Sequence, residues 1–221
     1  EDCFLTDKTV LKEKFHPTVG LLNPPYKNKG KGIEELEFVL NNLSMLEKGG
    51  ICIAIMPMSC VIDTKGDSYL LKKKILENNT LEGVLSMPEE LFYNSKVNTV
   101  TCAVIIKAGV KHPEGYKTWF GYCRNDGFEK RKNRGRLDVN HTWPVIKKKW
   151  VNAFLNRDEI EGFSVKQHVT AEMEWCAEAY MTTNYDQLTE DDFMQTVRNY
   201  YLFGLKCAQS QDNEAEEEEL P

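Results

Sequence analysis

The 221 residues are 41% hydrophobic and 28% charged, which fits one large domain or a medium one with an appendage and excludes wholesale disorder. The longest mostly apolar run, Ile51 to Ile62, is 12 residues and too short to cross a bilayer, and no signal peptide opens the chain, so the expected compartment is cytoplasmic. The net charge of -6 hides an asymmetry: residues 1–106 carry -2, residues 107–150 carry +8 and residues 151–221 carry -12.

Thr18 to Leu22 is a short apolar run that stops at Asn23-Pro24-Pro25. Two prolines cannot continue a central strand, so the pattern predicts a strand turning into a loop. Lys27 to Gly32 reads as a flexible basic loop. Ile33, Leu36, Val39, Leu40, Leu43 and Leu46 recur at helical spacing, and Gly49-Gly50 closes that helix. Ile51 to Met56 is continuously apolar, as in a strand buried on both faces. A second helix is expected over Asp67–Asn78, with Asp67 as its cap. Leu81–Met87 and Thr99–Ile106 are two further strands, and the alternation implies an α/β sheet with crossover helices. Trp119–Cys123 reads as another short strand, followed by a turn at Asn125-Asp126-Gly127. Beyond residue 141 the pattern turns mostly helical, with Thr170–Met181 and Thr189–Gln209 as the best candidates and Thr189 capping the second. The Glu216–Glu219 run reads as part of a disordered acidic tail.

Seven cysteines form no C-x-x-C pair, which argues against a disulfide framework, and the four scattered histidines have no ligand spacing, so no metal site is expected. The basic block contains Lys130, Arg131, Lys132, Arg134 and Arg136, then Lys147 to Lys149. Such a block holds phosphates by releasing their counterions, or else it is a solvated hairpin and helix end.

The element that carries chemistry is Asn23-Pro24-Pro25-Tyr26, at the carboxyl end of a strand, where open α/β sheets bind ligands. With it, the sequence resembles the amino-methyltransferases that use S-adenosylmethionine. Within these it is most similar to the N6-adenine DNA methylases of restriction-modification systems, above all the modification subunits of type I systems and their single-chain relatives. Leu85-Ser-Met-Pro88-Glu-Glu-Leu-Phe92, Val97-Asn-Thr99 and Val104-Ile-Ile-Lys107 look like that family's late block, and Asn125 to Phe128 leading into basic residues is also similar.

The resemblance implies the later strands, fourth to seventh, of a Rossmann-like methyltransferase sheet, the last of them antiparallel. It places the catalytic half at 1–108, a basic strand and hairpin segment at 109–140, a helical extension at 141–209 and the tail at 210–221. The oxygen of Asn23 and the carbonyl of Pro24 would accept the two N–H bonds of an adenine amino group, with Pro25 fixing the backbone direction. Tyr26 would stack on a base flipped from double-stranded DNA. Phe92 is either a second stacking partner or an ordinary core phenylalanine. Lys130, Arg131, Lys132, Arg134 and Arg136 would touch the DNA backbone. Asp2 is a cofactor candidate, although the family's glycine-rich turn is missing and a chain that opens on Glu1 reads as a piece of something longer. Alone, it is expected to bind S-adenosylmethionine poorly and to expose an unpaired sheet edge through which it dimerises. A specificity subunit, a restriction subunit or both are the implied partners. Methylation of a protein glutamine or of RNA, or a non-catalytic role in assembly, remain as alternatives.

Overall fold

The computed structural model describes residues 3–27, 32–89, 91–92, 99–131, 134–182, 189–191 and 193–201. They fall in two units, residues 1–182 and 183–221. In the first unit the helices are α1 (Lys8–Phe15), α2 (Glu35–Met45), α3 (Ser59–Ile62), α4 (Gly66–Asn78) and α5 (Trp143–Asn156). The strands are β1 (Val19–Leu22), β2 (Ile51–Pro57), β3 (Thr80–Ser86), β4 (Thr101–Lys107), β5 (Lys117–Tyr122), β6 (Glu129–Arg131), β7 (Gly135–Leu137) and β8 (Ser164–His168).

Six strands form one sheet in the order β1-β2-β4-β3-β5-β8, and β6 and β7 pair as a separate hairpin. The α2 crossover makes β1 and β2 parallel neighbours, in register from Val19↔Ile51 to Leu22↔Ala54. By contrast, β4 returns antiparallel between β2 and β3, while β5 runs parallel to β3. The expected Rossmann-like methyltransferase sheet, with its antiparallel strand, is therefore present. It also continues past residue 108 through β5 and an edge strand, β8, antiparallel to β5.

Each face of the sheet has its own cover. Leu36, Val39 and Leu43 of α2 and Leu71 and Ile75 of α4 join Cys52, Ala54, Met56, Val104 and Ile106 in the main core. On the other face Trp150 and Ala153 of α5 pack with Trp119 and Phe163. Gly83 of β3 permits this approach, since a Cβ there would sit 2.8 Å from the Phe154 ring. The cover stops short of β1, where Val19 and Leu21 are 68% and 77% exposed.

Two expectations are corrected. Asp67 lies in the first turn of α4; Lys65 is the cap residue and makes no side-chain capping bond. Residues 170–181 are not a helix but an irregular segment with one 3-10 turn, Ala177–Ala179. Its polar groups bond outward instead of along a helix: the Trp175 amide donates to Val61, and Met173 accepts from the Lys72 amine. The helix of this region is α5, its entry fixed by Asp138, whose carboxylate accepts the amides of Thr142 and Trp143. In the second unit residues 190–191 and 193–201 are helical, starting where the Thr189 carbonyl accepts the Phe193 amide. The expected helix beyond 201 and the acidic tail lie outside the described residues.

Candidate active site

β1 ends at Leu22, and the next four residues leave the carboxyl edge of the parallel strands. Asn23 is exposed, Pro24 buried, Pro25 exposed and Tyr26 half-buried. Among the described residues no hydrogen bond engages the Asn23 side chain or the Pro24 carbonyl. The buried carboxylate of Glu35 holds the end of this loop. One oxygen accepts the Lys27 amide at 2.6 Å, and the other accepts the Cys60 thiol at 3.3 Å. Lys27 also pairs through its amine with Glu34. Two adjacent carboxylates at the start of α2, Glu34 at its cap and Glu35 in its first turn, thus pin Lys27 by side chain and by backbone, which fixes the direction in which Tyr26 enters.

The Tyr26 hydroxyl is buried and has no partner among the described residues. Burial above all, and then Cys102, Cys60 and Glu35, push it up to about 12, so it stays neutral. Its ring meets Phe92 edge to face, centroids 5.9 Å apart and planes at 89°. Phe92 arrives from a turn after β3 in which the Leu91 amide donates to the Pro88 carbonyl. Two segments distant in sequence, the β1 exit and the β3 exit, are thereby brought together. Beside Tyr26 a cavity of about 520 Å³ is lined by Glu34, Glu35, Ser59, Asp63 and other polar residues. A larger cavity of about 1050 Å³, between the end of α4 and Lys111–Tyr116, opens at the opposite end of the strands and takes no part.

The basic segment divides. Arg136 is bound through both terminal nitrogens to Asp126, at 3.0 and 2.7 Å, its guanidinium lies 5.6 Å over Phe128 and its side chain is only 13% exposed. That bidentate pair holds the β6–β7 hairpin to the turn before it. Lys130, Arg131 and Arg134 are exposed, with Arg131 paired to Glu129 at 2.8 Å. Lys132 and Asp2 lie outside the described residues. Sequence reading missed Glu35; its one local signal was an acidic pair opening α2 just after the proline loop.

The sheet order, with β4 antiparallel between β2 and β3, is that of the Rossmann-like methyltransferase fold. The chain belongs to the N-6 DNA Methylase family, whose model matches residues 3–203. It is 33% identical over 209 residues to the type II restriction enzyme and methyltransferase RM.BcgI of Heyndrickxia coagulans, covering 92% of this chain and 32% of that protein. The chain thus spans about a third of the length of that curated relative. Among solved structures it is similar to the type I restriction-modification methyltransferase subunit of Streptococcus thermophilus, with a TM-score of 0.53, 20% identity and coverage of 70% of this chain and 35% of that one. A chain of a type I restriction-modification complex gives a TM-score of 0.55 at 15% identity, over 96% of this chain and 47% of that one.

Proposed function

We propose that this chain is the base-binding half of a DNA adenine-N6 methyltransferase of a restriction-modification system. The observation that carries the reading is the meeting of Asn23-Pro24-Pro25-Tyr26 with Phe92 at one edge of the sheet, 5.9 Å between the two rings. An adenine amino nitrogen is a poor nucleophile because its lone pair is delocalised into the ring. The Asn23 oxygen and the Pro24 carbonyl accept its two N–H bonds, favour a more tetrahedral nitrogen and stabilise the positive charge that develops there. Pro25 holds that carbonyl in place before the base arrives, so no reorganisation is needed at the moment of reaction. Tyr26 and Phe92 supply the apolar faces for a base extruded from the duplex.

S-adenosylmethionine is the methyl donor that the family implies. β1 is the edge strand, so no described strand bounds the side of Asn23 away from β2. The described residues there do not by themselves fit a cradle for the donor, and what they supply is the acceptor side of the transfer. The exposed cations Lys130, Arg131 and Arg134, with Lys132, serve the DNA backbone, whereas Arg136 serves the hairpin. A specificity or restriction subunit completes the system, in the cytoplasm.

The test is made in the intact protein, expressed with any neighbouring specificity subunit in a host lacking adenine methylation. N6-methyladenine is quantified by nucleoside mass spectrometry beside an Asn23→Ala control. Methyladenine that disappears in the control supports the reading. None at all, from protein shown to be folded and cofactor-bound, moves the acceptor to a protein or RNA amino group.

A further inference from the structure

The loop that brings Phe92 to Tyr26 leaves the sheet at the Ser86–Met87 peptide, and that peptide is fixed by more than the sheet. The Met87 amide donates to Thr101 of β4 at 3.0 Å, and the Ser86 carbonyl accepts the Cys123 amide at 2.9 Å. The remaining groups are held by two charged residues from elsewhere in the chain. One Arg124 nitrogen, Nη1, donates to the Met87 carbonyl at 3.1 Å. Nε and Nη2 both donate to Glu178 Oε1, at 3.1 and 2.6 Å, while Glu178 Oε2 accepts the Ser86 hydroxyl at 2.5 Å. The guanidinium also lies 5.9 Å over the Tyr122 ring, which limits its rotation.

We infer that Arg124 and Glu178 form a positioning clamp that aims the Pro88–Phe92 turn, and so sets the gap between Phe92 and Tyr26 into which the base must pass. The inference rests on the adenine-methyltransferase reading above. Neither residue touches the base; Arg124 acts through the Met87 carbonyl and Glu178 through the Ser86 hydroxyl. The pair is too exposed to contribute much to stability, with side chains 19% and 34% accessible, since partly solvated ion pairs are worth ~1 kcal/mol or less. Its effect is geometric instead: an error of ~1 Å in a stacking wall costs catalysis far more than folding. Burial works to raise the Glu178 carboxyl, but Ser86 and Arg124 together hold it below the usual carboxylate range, so the clamp is charged at neutral pH.

The experiment compares wild type with Glu178→Ala, Glu178→Gln and Arg124→Ala in the intact protein. Methyl transfer is followed in the steady state, and base extrusion is read from the fluorescence of a duplex carrying 2-aminopurine at the methylated position. Glu178→Ala and Arg124→Ala should each lower kcat by about tenfold with KM for DNA held within about twofold, and should reduce the 2-aminopurine signal in parallel. Glu178→Gln, which keeps an acceptor for Arg124, should recover part of both. Wild-type kcat and fluorescence in Glu178→Ala would overturn the clamp. If Arg124→Ala fails to fold, Glu178→Ala decides, because its carboxylate is the more exposed of the two. If wild type itself methylates no adenine, the parent reading has failed, and hydrogen exchange over residues 87–92 then judges the clamp alone. Exchange that speeds up in Glu178→Ala supports it, and unchanged exchange overturns it.

Discussion

Raising the pH from about 7.5 to about 9.5 should destabilise this domain by an amount set mainly by four thiols and one amine. Cys52, Cys60, Cys102 and Cys123 are free and buried, and a fifth buried thiol, Cys176, is also pushed up by burial and adds to the loss in the same direction. Burial pushes all four thiols up, Cys52 and Cys123 to about 12. In an unfolded chain they ionise near ~8.5. The unfolded state therefore gives up protons that the folded state keeps, and stability falls as the pH climbs through the unfolded value. Across the interval each thiol withdraws roughly 1.3 kcal/mol, or about 5 for the four together.

Lys72 opposes them. Its fully buried amine donates to the carbonyls of Val61, Asp63 and Met173 at 3.2, 2.9 and 2.8 Å, and lies 5.1 Å over the Trp175 ring. Desolvation lowers it to about 8 in spite of nearby Asp63 and Glu174. An unfolded lysine keeps its proton to about 10.4, so between the two values the unfolded state binds more protons and stability rises with pH, here by about 2 kcal/mol. The expected net loss is about 3 kcal/mol, a large share of the ~5–15 kcal/mol that holds a typical domain together. Urea midpoints under reducing conditions at the two pH values measure it. Lys72→Met should steepen the loss by about 2 kcal/mol, and Cys102→Ala should flatten it by about 1 kcal/mol. A midpoint that stays level or rises towards alkaline pH refutes the reasoning.

The other expectations concern single contacts. Asp126→Ala leaves the poorly exposed Arg136 guanidinium without its carboxylate; a loss of roughly 3–5 kcal/mol and fast amide exchange in the β6–β7 hairpin should follow, and an unchanged Tm would contradict this. Gly83→Ala drives a Cβ to 2.8 Å from Phe154 and should cost about 1–3 kcal/mol, most of it recovered by adding Phe154→Leu. Val19 and Leu21 stand exposed on the edge strand β1, so the isolated chain should self-associate in light scattering and the Leu21→Lys variant should run as a monomer. Finally, calorimetry of the isolated chain with S-adenosylmethionine should show no saturable micromolar binding, and a micromolar isotherm would overturn the view that the donor's cradle lies elsewhere.

What could be read from the sequence is what one short stretch encodes by itself. The β1 exit was legible because prolines impose their geometry locally, and β2 because an unbroken apolar run of that length has few other uses. Apart from the local misplacement of the α4 cap, the failures are places where a distant partner decides. The 170–181 segment has helix-forming composition, yet Trp175 and Met173 spend their hydrogen bonds on Val61 and Lys72, more than a hundred residues earlier. Helical pattern was expected beyond residue 141, but the bounds of α5 went unread because its run of three lysines is exposed, while the apolar positions that bury it, Trp150 and Ala153, gain meaning only once Trp119 is known to face them. The same division runs through the site. Asn23 and Tyr26 announce themselves by motif, and Phe92 by likeness to a family block. Glu35, which holds the Lys27 amide, leaves only an acidic pair as a local sign, while Arg124 and Glu178 hold the Met87 carbonyl and the Ser86 hydroxyl with nothing in their own neighbourhoods to say so. Groups that touch a substrate are constrained in type and spacing by its chemistry, so they leave a local pattern. Groups that aim them need only a charge at the right place in the fold, which any of 34 acidic or 28 basic residues could supply. Only the folded chain selects among them.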